Sequence, residues 1–177
     1  MFDFRKVTLA HAEGIAKVHF ESWQTTYKDI FPAEMIRSRT LELRIEQWTN
    51  WLSNPSSHPS SHHWVATEDE EIVGFVSGGK NADRSLPFDI EVKAIYFFER
   101  VQRQGLGRKL LASILKEIVP LYGPRLYIWV AAENFEARHF YTALGGESGP
   151  IKEAQFGPVI VPEVAYTWAD AQALIRV

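Results

Sequence analysis

Apolar residues recur along this chain in two rhythms, one of about 3.6 positions and one that is nearly continuous. From Leu106 to Val119 the positions Leu106, Leu110, Leu111, Ile114, Leu115 and Ile118 return every three or four residues and line one face of a helix. Pro120 is expected to stop that helix, with the turn Tyr122-Gly123-Pro124 after it. Ile90 to Phe98 reads as a strongly apolar strand. Leu126 to Val130 is almost wholly apolar, as a strand covered on both faces must be. Strand, helix and strand in that order predict a right-handed parallel crossover.

The flanking regions are less regular. Phe2 to Leu9 reads as a first strand and Ala10 to about Trp23 as a first helix, with Ile15, Val18, Phe20 and Trp23 on its apolar side. A second helix runs from Pro32 to Leu52, with a break expected near Ser38 to Thr40. Asn54 to Ser61 is a Pro/Ser loop. Trp64 to Thr67 and Ile72 to Ser77 form a hairpin, and Asn134 to Leu144 is a short helix ending at Gly145-Gly146. Val159 to Val161 and Val164 to Trp168 read as a closing hairpin. The order is strand, two helices, three strands, helix, strand, helix, two strands.

Chemistry concentrates where the apolar strand meets the periodic helix. Gln102-Arg103-Gln104-Gly105-Leu106-Gly107 joins them, and glycines at a helix start aim free backbone N–H groups at one spot. The helix dipole adds partial positive charge there, which suits a phosphate or pyrophosphate. Arg103 and Arg108 flank the loop and can screen the phosphate charge. A dinucleotide fingerprint would need a third glycine where the chain has Leu110, and Gly79-Lys80-Asn81 fails the P-loop pattern.

Composition narrows the reading further. With 177 residues, 46% of them hydrophobic, the chain is expected to form a single domain over 1–177. A net charge of −3 offers no basic field for nucleic acid. The absence of cysteine removes disulfides, thiolate-bound zinc and a covalent thiol mechanism, and fits a reducing cytoplasm. No apolar run has the length of a membrane span, and the N-terminus carries no signal-like apolar stretch, so a cytoplasmic location is expected. His58, His62 and His63 sit in or beside a Pro/Ser loop without the spacing of a zinc site, so no metal is expected. No Gly-x-Ser-x-Gly elbow supports a hydrolase.

Gln102 to Arg108, with Leu110-Leu111 following, resembles without a gap the acyl-CoA loop of the GNAT superfamily of N-acetyltransferases. The segment from Asn134 through Ala137 to Tyr141 resembles that family's Asn-x-x-Ala-x-x-x-Tyr stretch, and the element order matches its fold. The resemblance implies an α/β (α+β) GNAT acyl-CoA N-acyltransferase fold, a mixed and mostly antiparallel sheet with a central parallel βαβ unit and flanking helices. It implies acetyl-CoA as acyl-donor cosubstrate and direct transfer in a ternary complex to a primary amine, on a small molecule or a peptide. The backbone of Phe97 and Phe98 would pair with pantetheine, the loop from Gln102 to Arg108 would hold the pyrophosphate, and Asn134 would help hold the cofactor arm. Tyr141 would protonate the departing thiolate.

Glu91 is the candidate for the base that frees the amine of its proton, although Lys93 two positions on offers it an ion pair. The hexapeptide is also similar to that of the ribosomal-protein N-terminal acetyltransferases, but their glutamate in the strand after the central helix is replaced here by Trp129. The family's frequent proline after the key strand is replaced as well, by Glu99 or a neighbour. Glu21, Trp23, Tyr27, Phe75 and Trp129 are the candidates for the acceptor pocket, and aromatics with one carboxylate suit a cationic amine. The alternative is a non-catalytic acyl-CoA-binding sensor on the same fold, which would need the loop but neither Glu91 nor Tyr141. The oligomeric state, a homodimer included, stays open.

Overall fold

The computed structural model describes residues 1–176. Seven strands form one sheet: β1 (Phe2–Lys6), β2 (Ser61–Glu68), β3 (Glu71–Lys80), β4 (Ile90–Phe97), β5 (Leu126–Ala131), β6 (Glu147–Phe156) and β7 (Val159–Trp168), in the order β1-β2-β3-β4-β5-β7-β6. All neighbours are antiparallel except β4 and β5. The helices are α1 (Ala12–Thr26), α2 (Ala33–Ser38), α3 (Leu41–Ser53), α4 (Leu106–Tyr122), α5 (Phe135–Ala143) and α6 (Gln172–Ile175). No helix among the described residues is long and apolar enough to cross a membrane.

The central helix forms for the reason its periodicity gives: Leu106, Leu110, Leu111, Ile114, Leu115 and Ile118 are all buried. They belong to the same continuous core as Val65, Val73 and Val92 of the sheet. The other face of β3 is covered by α1, whose Ile15, Ala16 and Val18 are fully buried. β3 is therefore buried from Ile72 to Gly79, and no alternation of polar and apolar residues survives in it.

Several boundaries differ from the sequence reading. The first strand ends at Lys6, because Leu9–His11 turn into a 3₁₀ helix ahead of α1. The break expected near Ser38 to Thr40 is present: the segment from Pro32 is two helices, divided at Arg39-Thr40, where the Thr40 hydroxyl caps α3 by accepting from the Leu43 N–H at 3.3 Å. Pro120 does not end α4. It lies in the last turn, where its missing N–H forfeits one bond, and the helix closes on Gly123, whose N–H donates to the Val119 carbonyl at 3.0 Å.

The expected closing hairpin is overturned: Val159 to Trp168 is one strand, and its hairpin partner is Glu147–Phe156. Pro162 reads as a break but lies just beyond the paired span of β5, which reaches from Glu163 to Trp168, so its missing donor costs no ladder bond there. Its carbonyl still accepts from the Ala132 N–H at 2.8 Å.

β4 and β5 pair at Ile90–Leu126 and Glu91–Tyr127 and then diverge. Their paired end is fixed by Asp89, whose carboxylate accepts from the Arg125 backbone N–H at 2.9 Å and faces its guanidinium at 2.7 Å. Beyond that point the two strands leave an opening in the sheet.

Candidate active site

Two cavities occupy the opening, one on either side of a shared wall. The first, of about 580 Å³, lies between the end of β4, the start of α4 and α5. The second, of about 410 Å³, lies between α1, α2, α3, β4, β5 and the β6–β7 hairpin. Ile95, Tyr96, Asn134, Ala137 and Tyr141 line both.

The first cavity is built around unpaired backbone. α4 starts at Gly105 with no side chain capping its first amides, so the N–H groups of the first turn have no partner within the helix. Gly105 is required by its backbone, at φ +77°, and not by space, since an added Cβ would meet nothing within 4 Å. Gly107 is required by packing: a Cβ there would lie 2.9 Å from Cζ of Phe140, which lines the cavity. The structure thus gives these two glycines different duties, where the sequence suggested one. Arg103, also at positive φ (60°), reaches across the mouth to Glu136 at 3.7 Å.

Gln102, Arg103, Gly105, Leu106, Gly107 and Asn134 all line this cavity. Gln104 and Arg108 are exposed on the loop and first turn and do not line it. Phe97 and Phe98 are buried side chains. The Phe98 N–H donates to the Val73 carbonyl at 3.0 Å, so it is committed to β3. The register then turns the peptide groups of Ile95 and Phe97 toward the gap. The Phe97 carbonyl there accepts from Ser22 Oγ and Gln102 Nε2, both at 3.1 Å.

Asn134 stands at the start of α5, and its Oδ1 accepts from the Ala137 N–H at 3.1 Å. Two turns on, Tyr141 is 5% exposed between the cavities, and burial raises its phenol above the ordinary tyrosine range. Beside it, the Tyr96 hydroxyl lies 2.8 Å from that of Tyr27.

The second cavity carries more charge than the sequence suggested. Trp23, Tyr27 and Trp129 line it as expected, but Glu21 is exposed outside it and Phe75 is fully buried in the core. The carboxylates are instead Glu91 and Glu163, and the cations Arg39, Arg44, Lys93 and Lys152 join them. Lys152 Nζ sits 3.3 Å from Glu163 and 4.2 Å from the Trp129 ring centroid. Glu91 faces Tyr127, whose phenol is pushed up by burial and then by the Glu91 charge. His19 accepts from the Trp48 indole at 3.1 Å, and burial holds its pKa down to about 3, so it is neutral.

Arg39, Arg44 and Lys152 escaped the sequence reading because they come from the end of α2, from α3 and from β6, none of which carries a motif. The histidines of the Pro/Ser region do not converge either. His62 lies 2.8 Å from Glu117 and 3.0 Å from the Tyr122 hydroxyl, whereas His63 is packed edge-on to Trp48 and Trp51.

Comparison with known proteins agrees with this architecture. Residues 19–145 match the acetyltransferase (GNAT) family. The uncharacterized N-acetyltransferase YuaI of Bacillus subtilis is 30% identical over 175 residues, covering 98% of this chain and 96% of that protein. The crystal structure of PaiA N-acetyltransferase from Thermoplasma acidophilum in complex with coenzyme A superposes with a TM-score of 0.71 at 21% identity, over 93% of this chain and 98% of that one. That of YncA from Salmonella typhimurium with acetyl-CoA gives 0.70 at 17%, over 96% and 94%. Both share its fold. With a family match across most of its length, this chain belongs to the GNAT acetyltransferases, enzymes whose acyl donor is acetyl-CoA.

Proposed function

We propose that the protein transfers the acetyl group of acetyl-CoA directly to a primary amine, with donor and acceptor bound together. The observation that carries this reading is the shared wall: two cavities meet at Ile95, Tyr96, Asn134, Ala137 and Tyr141, and one meets the unpaired amides of a helix start. In this reading the first cavity takes the donor and the second the acceptor. A sensor would have no need of a second cavity meeting the first at a buried phenol, so the catalytic reading is preferred to a binding module.

The chemistry follows from the groups at the junction. The amine must lose a proton before it can attack, and Glu91, directly or through water, receives it. Glu163 is less suited because Lys152 already compensates its charge. As nitrogen bonds to the thioester carbonyl carbon, negative charge develops on oxygen, and a backbone N–H of β4 facing the gap, that of Phe97 or Ile95, stabilises it. The C–S bond then breaks and Tyr141 gives its proton to the sulfur. Its raised pKa keeps the phenol protonated, and so able to donate, throughout the neutral range. The first-turn amides of α4 with Arg103 hold the pyrophosphate, and Asn134 and the β4 edge hold the pantetheine arm.

Tyr141→Phe tests this directly. Turnover is expected to fall by about 10²-fold or more with acetyl-CoA affinity nearly unchanged, as loss of a general acid predicts. Unchanged turnover would remove Tyr141 from the mechanism. Isothermal titration with acetyl-CoA and, separately, NAD tests the donor site, where binding of NAD alone would sink the proposal.

A further inference from the structure

The acceptor cavity contains a buried cation that no group among the described residues neutralises. Arg44 is 7% exposed, and its Nε is buried without any hydrogen-bond partner. Its Nη1 donates to Gln47 at 3.1 Å, a neutral acceptor. Its surroundings lower its pKa, through burial and then through the Arg39 charge, and no carboxylate is among the groups acting on it. Arg39 and Arg44 both sit over the Trp23 ring, 5.5 and 5.2 Å from its centroid, so two guanidinium groups share one aromatic platform. A buried charge with no counter-charge is strongly disfavoured unless something else supplies one.

We propose that the acceptor is an amine that also bears a carboxylate, held by Arg44 with Arg39 while its amino group points to the junction at Tyr141. This rests on the acetyltransferase reading above and specifies its substrate. A guanidinium fork presents two parallel donors and matches the two oxygens of a carboxylate. The balance of the cavity agrees: four cations against Glu91 and Glu163 leave an excess of positive charge, with His19 neutral. Lys152 and Glu163 satisfy each other at 3.3 Å, which leaves Arg39, Arg44 and Lys93 against Glu91, and of these Arg44 is the buried one. Tyr96 lies between the two ends, lining the cavity with Arg44 and Tyr141 and also the one beyond the shared wall. A cavity of about 410 Å³ suits an amino acid or another short amino carboxylate.

The test measures thiol release from acetyl-CoA with the common L-amino acids, β-alanine and γ-aminobutyrate, each against its carboxamide, with O-phosphoethanolamine as a further arm. At least one acid is expected to exceed its amide in kcat/KM by about 100-fold or more, the range for losing a charged partner of a buried group. Arg44→Met should bring that ratio to within a fewfold of one, and Arg44→Lys should recover only part of it. The preferred acid should raise the melting temperature of the wild type but not of Arg44→Met. Equal use of acids and amides would overturn the inference, as would a preference for O-phosphoethanolamine, which would make the anion a phosphate. Turnover of no acid by protein that binds acetyl-CoA would also overturn it, whereas failure to bind acetyl-CoA would instead defeat the proposed function.

Discussion

The hydroxyls of Tyr27 and Tyr96 lie 2.8 Å apart, tying the end of α1 to the strand that walls both cavities. Burial raises both phenols, so one is a donor and the other an acceptor throughout the neutral range. Tyr27→Phe should leave the Tyr96 hydroxyl without this partner and cost about 1 kcal/mol, or ~2–4 °C in melting temperature for a chain of this size. Acceptor KM should rise more than acetyl-CoA affinity falls. A calorimetric melt identical to wild type would show that this hydrogen bond contributes nothing.

The contact between Gly107 and Phe140 makes a coupled prediction. Gly107→Ala should push the Phe140 ring into the donor cavity and weaken acetyl-CoA binding by about fivefold, with Gly107→Ala/Phe140→Leu recovering most of it. Gly105→Ala should act on stability instead, costing about 1 kcal/mol through its left-handed backbone. Titration calorimetry of Gly107→Ala, Phe140→Leu and their double variant decides the first, where additive losses would refute the steric account, and a thermal melt of Gly105→Ala decides the second.

Asn134 separates capping from ligand contact. Asn134→Ala should lose about 1 kcal/mol of stability, whereas Asn134→Ser keeps a capping oxygen and should melt close to wild type. If the amide also holds the donor, both variants bind acetyl-CoA about fivefold more weakly. Wild-type affinity in Asn134→Ser would restrict Asn134 to helix capping.

Stability should fall in acid through two windows. His19 and His63 are held at about 3 and about 4, mainly by burial, against an ordinary 6.5. The unfolded chain therefore binds protons that the folded one refuses, and stability declines as pH falls from about 6.5 toward those values. Glu117 adds a second loss. Burial alone would raise it, but hydrogen bonds from Lys6, Trp64 and His62 bring it down from 4.5 to about 2. Its contribution is present above pH 4.5 and disappears as pH drops to about 2. Melts between pH 7 and 3 should be flatter above pH 4.5 for His63→Phe and flatter below it for Glu117→Gln. Profiles parallel to wild type would rule these groups out.

The parts of this molecule legible in its sequence are those built from local pattern. The periodic face of α4, the apolar β4 and β5 and the loop from Gln102 to Gly107 needed no tertiary context, because helix period and glycine placement are written residue by residue. β6 was not legible. It is an edge strand, mostly exposed, with Pro150 and charged residues such as Lys152 and Glu153 where a strand signal would stand. Of the second cavity the aromatics Trp23, Tyr27 and Trp129 were legible, but its arginines and Lys152 were not, for a related reason. Arg44 and Lys152 are separated by most of the chain, and only the fold brings them to one wall. Arg44 looks like one more polar residue of an amphipathic helix until its burial is known.

The two pairs that join β4 to β5 carry a further consequence. The sheet behaves as two leaves on a short spine, β1 to β4 on one side and β5, β7 and β6 on the other. A donor lodged in the opening would bridge the leaves beyond the reach of their own ladder. Amides of β5 and β7 would then exchange with solvent more slowly when it is bound, including those it never touches. The second substrate would therefore meet a stiffer protein than the first did, and order of binding would be a property of the spine.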